Sequence, residues 1–497
     1  MPTAEEVANP RVRFVNRAKP DPTRQYVLYW MQMYRRLERN HALDYAIARA
    51  VEFGKPLVVY EGLRLDYPWA SVRHHRFILE GMRANARRAK ALGINYWPFV
   101  QTPTEPGTGL LRRLARLACL VVTDDYPTFI VPRQTQALAL RAPVAVVAVD
   151  SNGVVPLSWL GPPVAAAAHL RPRIHRAFAR AWPKRAAAEP DFPAVTRPVV
   201  EPPFAVWDAT QPLDRFLDSL PLDRSVPAVP GVEGGAEAAA RLLQRFLREK
   251  LHRYATERNT PDSPADGPAS GLSPYLHYGH ISIEAVVEAT LNTVNGWSLA
   301  QVGGSGRDFY SDSADVNAFL DEAITWRDVG YHWHWHRAAD VEALERALPA
   351  WAWATLQKHA SDRREAVYSL EQFEAGQTHD EIWNLAQREL VATGRIHNYM
   401  RMLWGKKILE WSATPTEAYR IMVELNNKYA LDGRDPNSWT GILWTLGLFD
   451  RPWAPERPVF GTVRYMSSDN TSRKFKKLVK YRQYVQGLPE IAAVRRG

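Results

Sequence analysis

The chain has 497 residues, 46% hydrophobic and 23% charged, with a net charge of +10; this is globular composition, sized for roughly two to four domains, and it sets aside a disordered polymer. A single cysteine, Cys119, excludes a disulfide framework and any cysteine-built zinc or iron–sulfur centre. The N-terminal MPTAEEVANPRVRF has no apolar leader core, and no run approaches the roughly 18 apolar residues of a membrane span, so a soluble, cytoplasmic protein is expected. The charge is uneven: residues 451–497 hold eleven Lys/Arg against three Asp/Glu, which suits a polyanion such as nucleic acid and also an ordinary solvated tail.

In chain order, residues 1–22 read as an extension. From 23 to 160, short apolar runs (Tyr26–Met33, Leu57–Leu63, Ile94–Val100, Leu120–Asp124, Pro143–Asp150) alternate with amphipathic stretches such as Ala42–Phe53 and Arg73–Leu92, the latter stopped by Gly93. That alternation predicts an α/β domain with a doubly wound parallel sheet, which takes ligands at the carboxyl ends of its strands. No G-x-G-x-x-G follows the first strand and no G-x-x-x-x-G-K-[ST] occurs, which argues against an ordinary NAD or P-loop site. Residues 161–234 read as a linker, with 13 of the 37 prolines lying between 161 and 230. From 235 to 497 the period turns helical, over Glu237–Arg258, Ser282–Thr293, Val316–Tyr331, Ala350–His359, Asp380–Ala392, His397–Trp411 and Pro415–Asn427. This all-α domain is large enough to enclose a cofactor.

Twelve of the 18 tryptophans lie between Trp297 and Trp453. Trp404 and Trp411 are seven apart, hence on one helix face and roughly 10 Å apart along its axis. With Trp383 they suit stepwise electron transfer, and equally the packing of a helical core. Phe319, Glu322 and Trp326 share a helical face, placing a carboxyl beside an indole. Leu425–Ile442 reads as a polar loop between apolar helices, carrying Asn426, Asn427, Asp432, Arg434, Asp435 and Asn437; a heteroaromatic cofactor with many hydroxyls, or solvent, would satisfy it. Ser270–Ser282 (SGLSPYLHYGHIS) offers hydroxyls and amides before a helix, as a diphosphate cradle or a capping turn. His332, His334 and His336 read as following a helix, where period-two histidines do not converge, so no metal is expected.

Together these stretches resemble the class II cyclobutane pyrimidine dimer photolyases of the photolyase/cryptochrome family. The resemblance runs from Tyr26 to Arg482 and is most specific over Thr378–Gly447, with DRPW at 450–453 and FGTVRYMS at 460–467. It implies a Rossmann-like antenna domain, a long linker and a helical domain holding FAD, active when fully reduced and anionic. It further implies that Tyr254, Ser270, Leu272, Ser273 and Tyr275 lie on the phosphate side of FAD. Arg401 and Asp432 would flank the flavin ring, Asn426 would face its N5, and Asp435 and Asn437 would belong to the same loop. By the same resemblance Trp404, Trp383 and Trp411 are the proximal, middle and exposed members of a photoreduction chain. Glu322, Trp326, Met402 and Trp444 match the lesion pocket, where a flipped dimer meets aromatic walls and one carboxyl. Arg258 and Asn259 match residues that fill the gap in the duplex, and Arg451, Trp453 and Arg464 would hold phosphates.

The chain departs from the family at Tyr278 and His280, at Gly330–Arg337 (GYHWHWHR), at Gln101–Gly109 and at Ser151–Gly153, where an alanine–histidine pair is expected. The antenna chromophore is left open among a deazaflavin, a folate, a second flavin and none. The implied function is light-driven dimer repair in UV-damaged double-stranded DNA by a monomer without an obligate protein partner, nucleoid-associated if bacterial. The rivals are a cryptochrome-like photoreceptor without repair and a non-photochemical flavoprotein or structural DNA binder.

Overall fold

The computed structural model describes residues 9–262, 266–303 and 306–489. The described residues form a six-stranded sheet from β1 (Val12–Phe14), β2 (Tyr26–Met31), β3 (Leu57–Leu63), β4 (Asn95–Val100), β5 (Ala118–Asp124) and β6 (Val146–Val149), in the order β1-β6-β5-β2-β3-β4. β2 to β6 pair in parallel, and every residue of β2, β5 and β6 is buried. Burial on both faces is why these strands read as continuous apolar runs rather than alternating ones. Helices α1 (His41–Phe53), α2 (Val72–Leu92), α3 (Leu110–Leu117) and α4 (Val131–Ala139) connect them. Asn40 caps α1 by accepting from Ala42 N and Leu43 N, and α2 stops at Gly93 in the left-handed conformation, φ 68°.

Several expectations need correcting. The segment read as an extension contributes β1, which pairs antiparallel with β6; three residues are too short to show a period. The stretch read as a linker carries α5 (Ala167–Ala181), whose Leu170, Ile174 and Phe178 form an i, i+4, i+8 stripe buried in the main core. Pro172 lies within this helix.

The helical part contains α6 (Ala236–Glu249), α7 (Ser273–His277), α8 (Ile283–Leu291), α9 (Ala314–Leu320), α10 (Arg327–Arg337), α11 (Glu381–Thr393), α12 (Asn398–Trp411), α13 (Pro415–Tyr429) and α14 (Pro436–Thr445). The helix expected over Val316–Tyr331 is broken by a π-helical segment, Asp321–Trp326. The histidine run lies inside α10 rather than after it, and the polar run from Leu425 is helical to Tyr429 and again from Pro436. Among the described residues no helix is long and apolar enough to cross a membrane.

The sheet and the helices are tied by buried polar groups. Arg73, 1% exposed, donates to Pro227 O, Tyr429 O and Val391 O at 3.0, 2.6 and 2.7 Å. Gly279, at φ 71°, lets the chain pass the turn after β2; a Cβ there would stand 2.0 Å from Met33 O. That turn is itself held by Asp124, whose Oδ2 accepts from Gln32, Met33 and Tyr34 N at 2.9, 2.6 and 2.9 Å while Oδ1 accepts from the Tyr29 hydroxyl at 2.7 Å.

Asp124→Ala orphans three amides and one hydroxyl, and is expected to cost about 3 kcal/mol of stability, read as an earlier urea midpoint. A loss under about 1 kcal/mol would show that the turn is held by other contacts.

Candidate functional site

The site is built on α11 to α14, and each helix start is fixed locally. Asp380 accepts from Trp383 N at 3.0 Å, the His397 ring from Tyr399 N at 3.2 Å, Thr414 from Glu417 N at 3.1 Å and Asp435 from Ser438 N at 2.9 Å; Pro415 and Pro436 take first-turn positions. Between α13 and α14 the chain turns sharply over residues 430–435, with Arg434 at φ 70°. Asn427 Oδ1 closes this turn by accepting from Arg434 N at 2.8 Å, and Ser438 Oγ donates to Asp432 O at 2.9 Å.

Asp432 Oδ1 on this turn, Asn427 Nδ2 on α13 and Arg401 Nε on α12 are buried without a hydrogen-bond partner. Unmatched donors and an acceptor in a close-packed interior fit a polar ring system entering among them. Arg401 and Asp432 are residues that the resemblance assigns to the flavin, so the chain fits FAD here. Asn426, 2% exposed, donates from Nδ2 to Asn427 Oδ1 at 3.3 Å. Burial, and then the neighbouring Asp432, push the Asp435 carboxyl up to about 7. Asn437 lies against α10 at Gly330, where a Cβ would come within 2.4 Å of Asn437 Oδ1.

The structure brings the three tryptophans together. Trp383 Nε1 donates to Trp404 O at 3.0 Å, its ring centroid lies 6.3 Å from that of Trp411, and Trp404 Nε1 donates to Gln387 Oε1 at 2.9 Å. Trp411, expected as the exposed end, is only 1% exposed. The His379 ring at 4.8 Å and the Tyr368 ring at 5.9 Å cover it.

Trp326 and Trp444 stack with centroids 4.9 Å apart and planes 13° apart. Glu322 lies on the same π-helical turn as Trp326 and accepts from Arg258 NH1. Burial raises the Glu322 carboxyl above its ordinary range, and Arg258 opposes this. Met402 is half-buried on α12, and Asn259 is exposed. Phe319 instead faces inward, its ring 4.5 Å from Phe246 and 5.3 Å from Tyr254.

Two cations lie over Trp453, the guanidinium carbons of Arg451 and Arg464 standing 5.0 and 5.1 Å from its ring centre. Of the five residues that the resemblance assigns to the phosphate side, Leu272 and Tyr275 are buried, and the Tyr275 hydroxyl donates to Glu233 O at 2.7 Å. Ser270 Oγ accepts from Leu272 N at 3.4 Å, Ser273 opens α7, and Tyr254 packs edge-on to Phe319. The α10 histidines are held by main-chain carbonyls: His332 and His336 Nε2 donate to Gly161 O, and His334 Nδ1 to Gly330 O. Among the described residues no group of three or more His, Cys, Asp or Glu is arranged to hold a metal. His280, one of the departures, accepts from Gly235 N at 2.9 Å, and Tyr278 accepts from Arg434 NH2.

A cavity of about 550 Å³ lies at the carboxyl ends of the strands, where a doubly wound sheet is expected to take ligands, and is lined by Trp30, Tyr60, Phe99, Tyr126, Phe129 and Arg434 among others, residues the sequence does not single out as one site. Gln32 Oε1 and Arg35 Nε, on two of its lining residues, are buried and unpartnered. Its one sequence signal is the unusual Gln101–Gly109 loop, of which Gln101 and Pro106–Gly109 line the cavity.

No family model matches the chain. A Methanothermobacter thermautotrophicus protein named deoxyribodipyrimidine photo-lyase is 36% identical over 481 residues, spanning 96% of this chain and 98% of its own. A bacterial class III photolyase from Agrobacterium tumefaciens has a similar fold, with a TM-score of 0.66 at 20% identity over 93% of this chain and 87% of its own. A Synechocystis cryptochrome is similar at a TM-score of 0.67 and 15% identity, over 93% and 88%.

Lys406 gives the site helix α12 a measurable pH signature. It is fully buried, Nζ donates to Thr445 O at 2.6 Å, and burial pulls its ammonium down to about 7. The folded value lies below the unfolded one, so the cost of the buried charge is complete below about pH 7 and fades as pH rises toward about 10. Lys406→Met is therefore expected to be more stable than the parent by about 2 kcal/mol near pH 6, with the gap closing by about pH 10 in urea titrations. A gap that does not change with pH would contradict the buried charge.

Proposed function

Because the chain belongs to the photolyase/cryptochrome family, we propose that it is a class II-type enzyme that splits cyclobutane pyrimidine dimers in UV-damaged DNA using light. The observation that carries this reading is that Trp326, on the same turn as Glu322, stacks on Trp444 of α14. A photoreceptor without repair needs a flavin site and an indole relay; it has no use for a carboxyl set beside a stacked indole pair.

Reduced FAD, when bound, would supply a light-absorbing donor of one electron. Arg401 and Asp432 hold its ring from the atoms left unmatched, with Asn426 toward N5 and Asp435 and Asn437 completing the loop. Tyr254, Ser270, Leu272, Ser273 and Tyr275 support the phosphate side. Trp326, Trp444 and Met402 give two pyrimidine rings apolar surface and keep water out, and Glu322 hydrogen-bonds their carbonyls. Trp411, Trp383 and Trp404 form a buried aromatic path that leads an electron inward. Arg258 and Asn259 stand at the gap left by the flipped bases, and Arg451, Trp453 and Arg464 grip the phosphates. The cavity at the strand ends, aromatic-walled with an unmatched acceptor and donor, suits a planar conjugated second chromophore.

The test mixes the FAD-loaded, reduced protein with a duplex holding one thymine dimer and compares lit with dark samples for restored thymines. Restoration only in the light is expected. A protein that binds FAD but restores nothing in the light would overturn the proposal and favour the photoreceptor.

A further inference from the structure

Glu322 is described above as the carboxyl that meets the lesion, yet in the free protein it is already engaged. Arg258 NH1 donates to its Oε1. Arg258 is held in turn from two directions: its amide donates to Tyr254 O at 3.2 Å, and its guanidinium lies 5.8 Å from the Tyr254 ring centre. The side chain of His397, which caps α12, hydrogen-bonds the Arg258 backbone. The charged and titratable groups facing Glu322 are Arg258, Tyr254, Arg307 and Asp321. Asp321 is committed elsewhere, accepting from Arg171 Nε at 2.8 Å and from Arg171 NH2 at 3.0 Å.

An ionised carboxylate only accepts hydrogen bonds, and so does a pyrimidine carbonyl. Glu322 paired with Arg258 therefore cannot bond a base carbonyl. It needs a proton, and the guanidinium on Oε1 holds the group in its charged form. Burial and Asp321 favour the protonated form, while Arg258 is the largest influence against it, ahead of Arg307.

We propose that Arg258 is a positioning residue that sets the charge of Glu322: docked, it keeps Glu322 a carboxylate, and its displacement on lesion entry lets Glu322 take one proton and donate it to a pyrimidine carbonyl. The inference rests on the reading of the Glu322 pocket as the lesion site. The proton comes from solvent, Arg258 stays a cation throughout, and no electron moves. The duplex gap, lined with phosphates, is a favourable destination for the freed guanidinium.

The test is calorimetric binding of a dimer-containing duplex to the FAD-loaded protein in the dark, in buffers of different ionisation enthalpy. The parent protein is expected to take up about one proton per duplex near neutral pH, with an affinity that falls as pH rises. Arg258→Gln should lose most of that uptake and bind with little pH dependence, because its Glu322 is protonated before binding. Arg258→Lys, which keeps a cation at the position, should restore the dependence, and Glu322→Gln should abolish it. An unchanged uptake in Arg258→Gln, or a pH-independent affinity in the parent protein, would overturn the inference while leaving the pocket in place. Failure of the parent to prefer the dimer duplex over an undamaged one would instead remove the underlying reading of the pocket.

Discussion

A buried polar atom must find a partner, and the helical part of this protein is arranged around atoms that lack one. The turn from 430 to 435 is closed by Asn427 Oδ1 on Arg434 N and by Ser438 Oγ on Asp432 O. With the turn's own backbone so tightly satisfied, Asp432 Oδ1 on it, Asn427 Nδ2 on α13 and Arg401 Nε on α12 are still buried and unmatched. An apolar core would be cheaper than this set unless a ligand completes it. The capped starts of α11 to α14 are what hold these atoms in position.

The same constraint joins the two halves of the molecule. Arg73 carries a buried charge into the helices and spends it on three carbonyls. Arg434 lines the cavity at the strand ends and donates to Tyr278, while its backbone closes the turn beside Asp432. One residue thus belongs to both the candidate cofactor site and the candidate second-chromophore cavity. The strands end where a doubly wound sheet places ligands, and Gly279 allows the helical part to approach that edge closely.

Much of this was legible in the sequence, for identifiable reasons. Strands buried on both faces are apolar throughout, so β2, β3 and β5 were visible, and Gly93 marked the end of α2. Spacing placed Trp404 and Trp411 on one helix face, but it fitted core packing as well as a relay, and only the family resemblance gave them and Trp383 an order. What escaped notice is equally specific. A π turn leaves the apolar period almost unchanged over six residues, so the break at Asp321–Trp326 was hidden within a longer helical pattern. Asn426 and Asn427 looked like loop residues because they are polar, yet both are buried on α13, with Asn427 Oδ1 spent on Arg434 N and Nδ2 left unmatched. Trp411 is covered by His379 and Tyr368, residues some thirty to forty positions away. The cavity at the strand ends draws its walls from several separate connections, of which only Gln101–Gly109 stands out in the sequence.

Thermal unfolding of the protein stripped of FAD and then reloaded tests this dependence most directly. The cofactor-free protein should unfold on the order of 10 °C lower, with FAD restoring the loss, because binding completes the unmatched atoms around Asp432 and Arg401. Identical unfolding with and without FAD would show that those atoms are satisfied by the chain or by water, and that the turn between α13 and α14 is not a cofactor site.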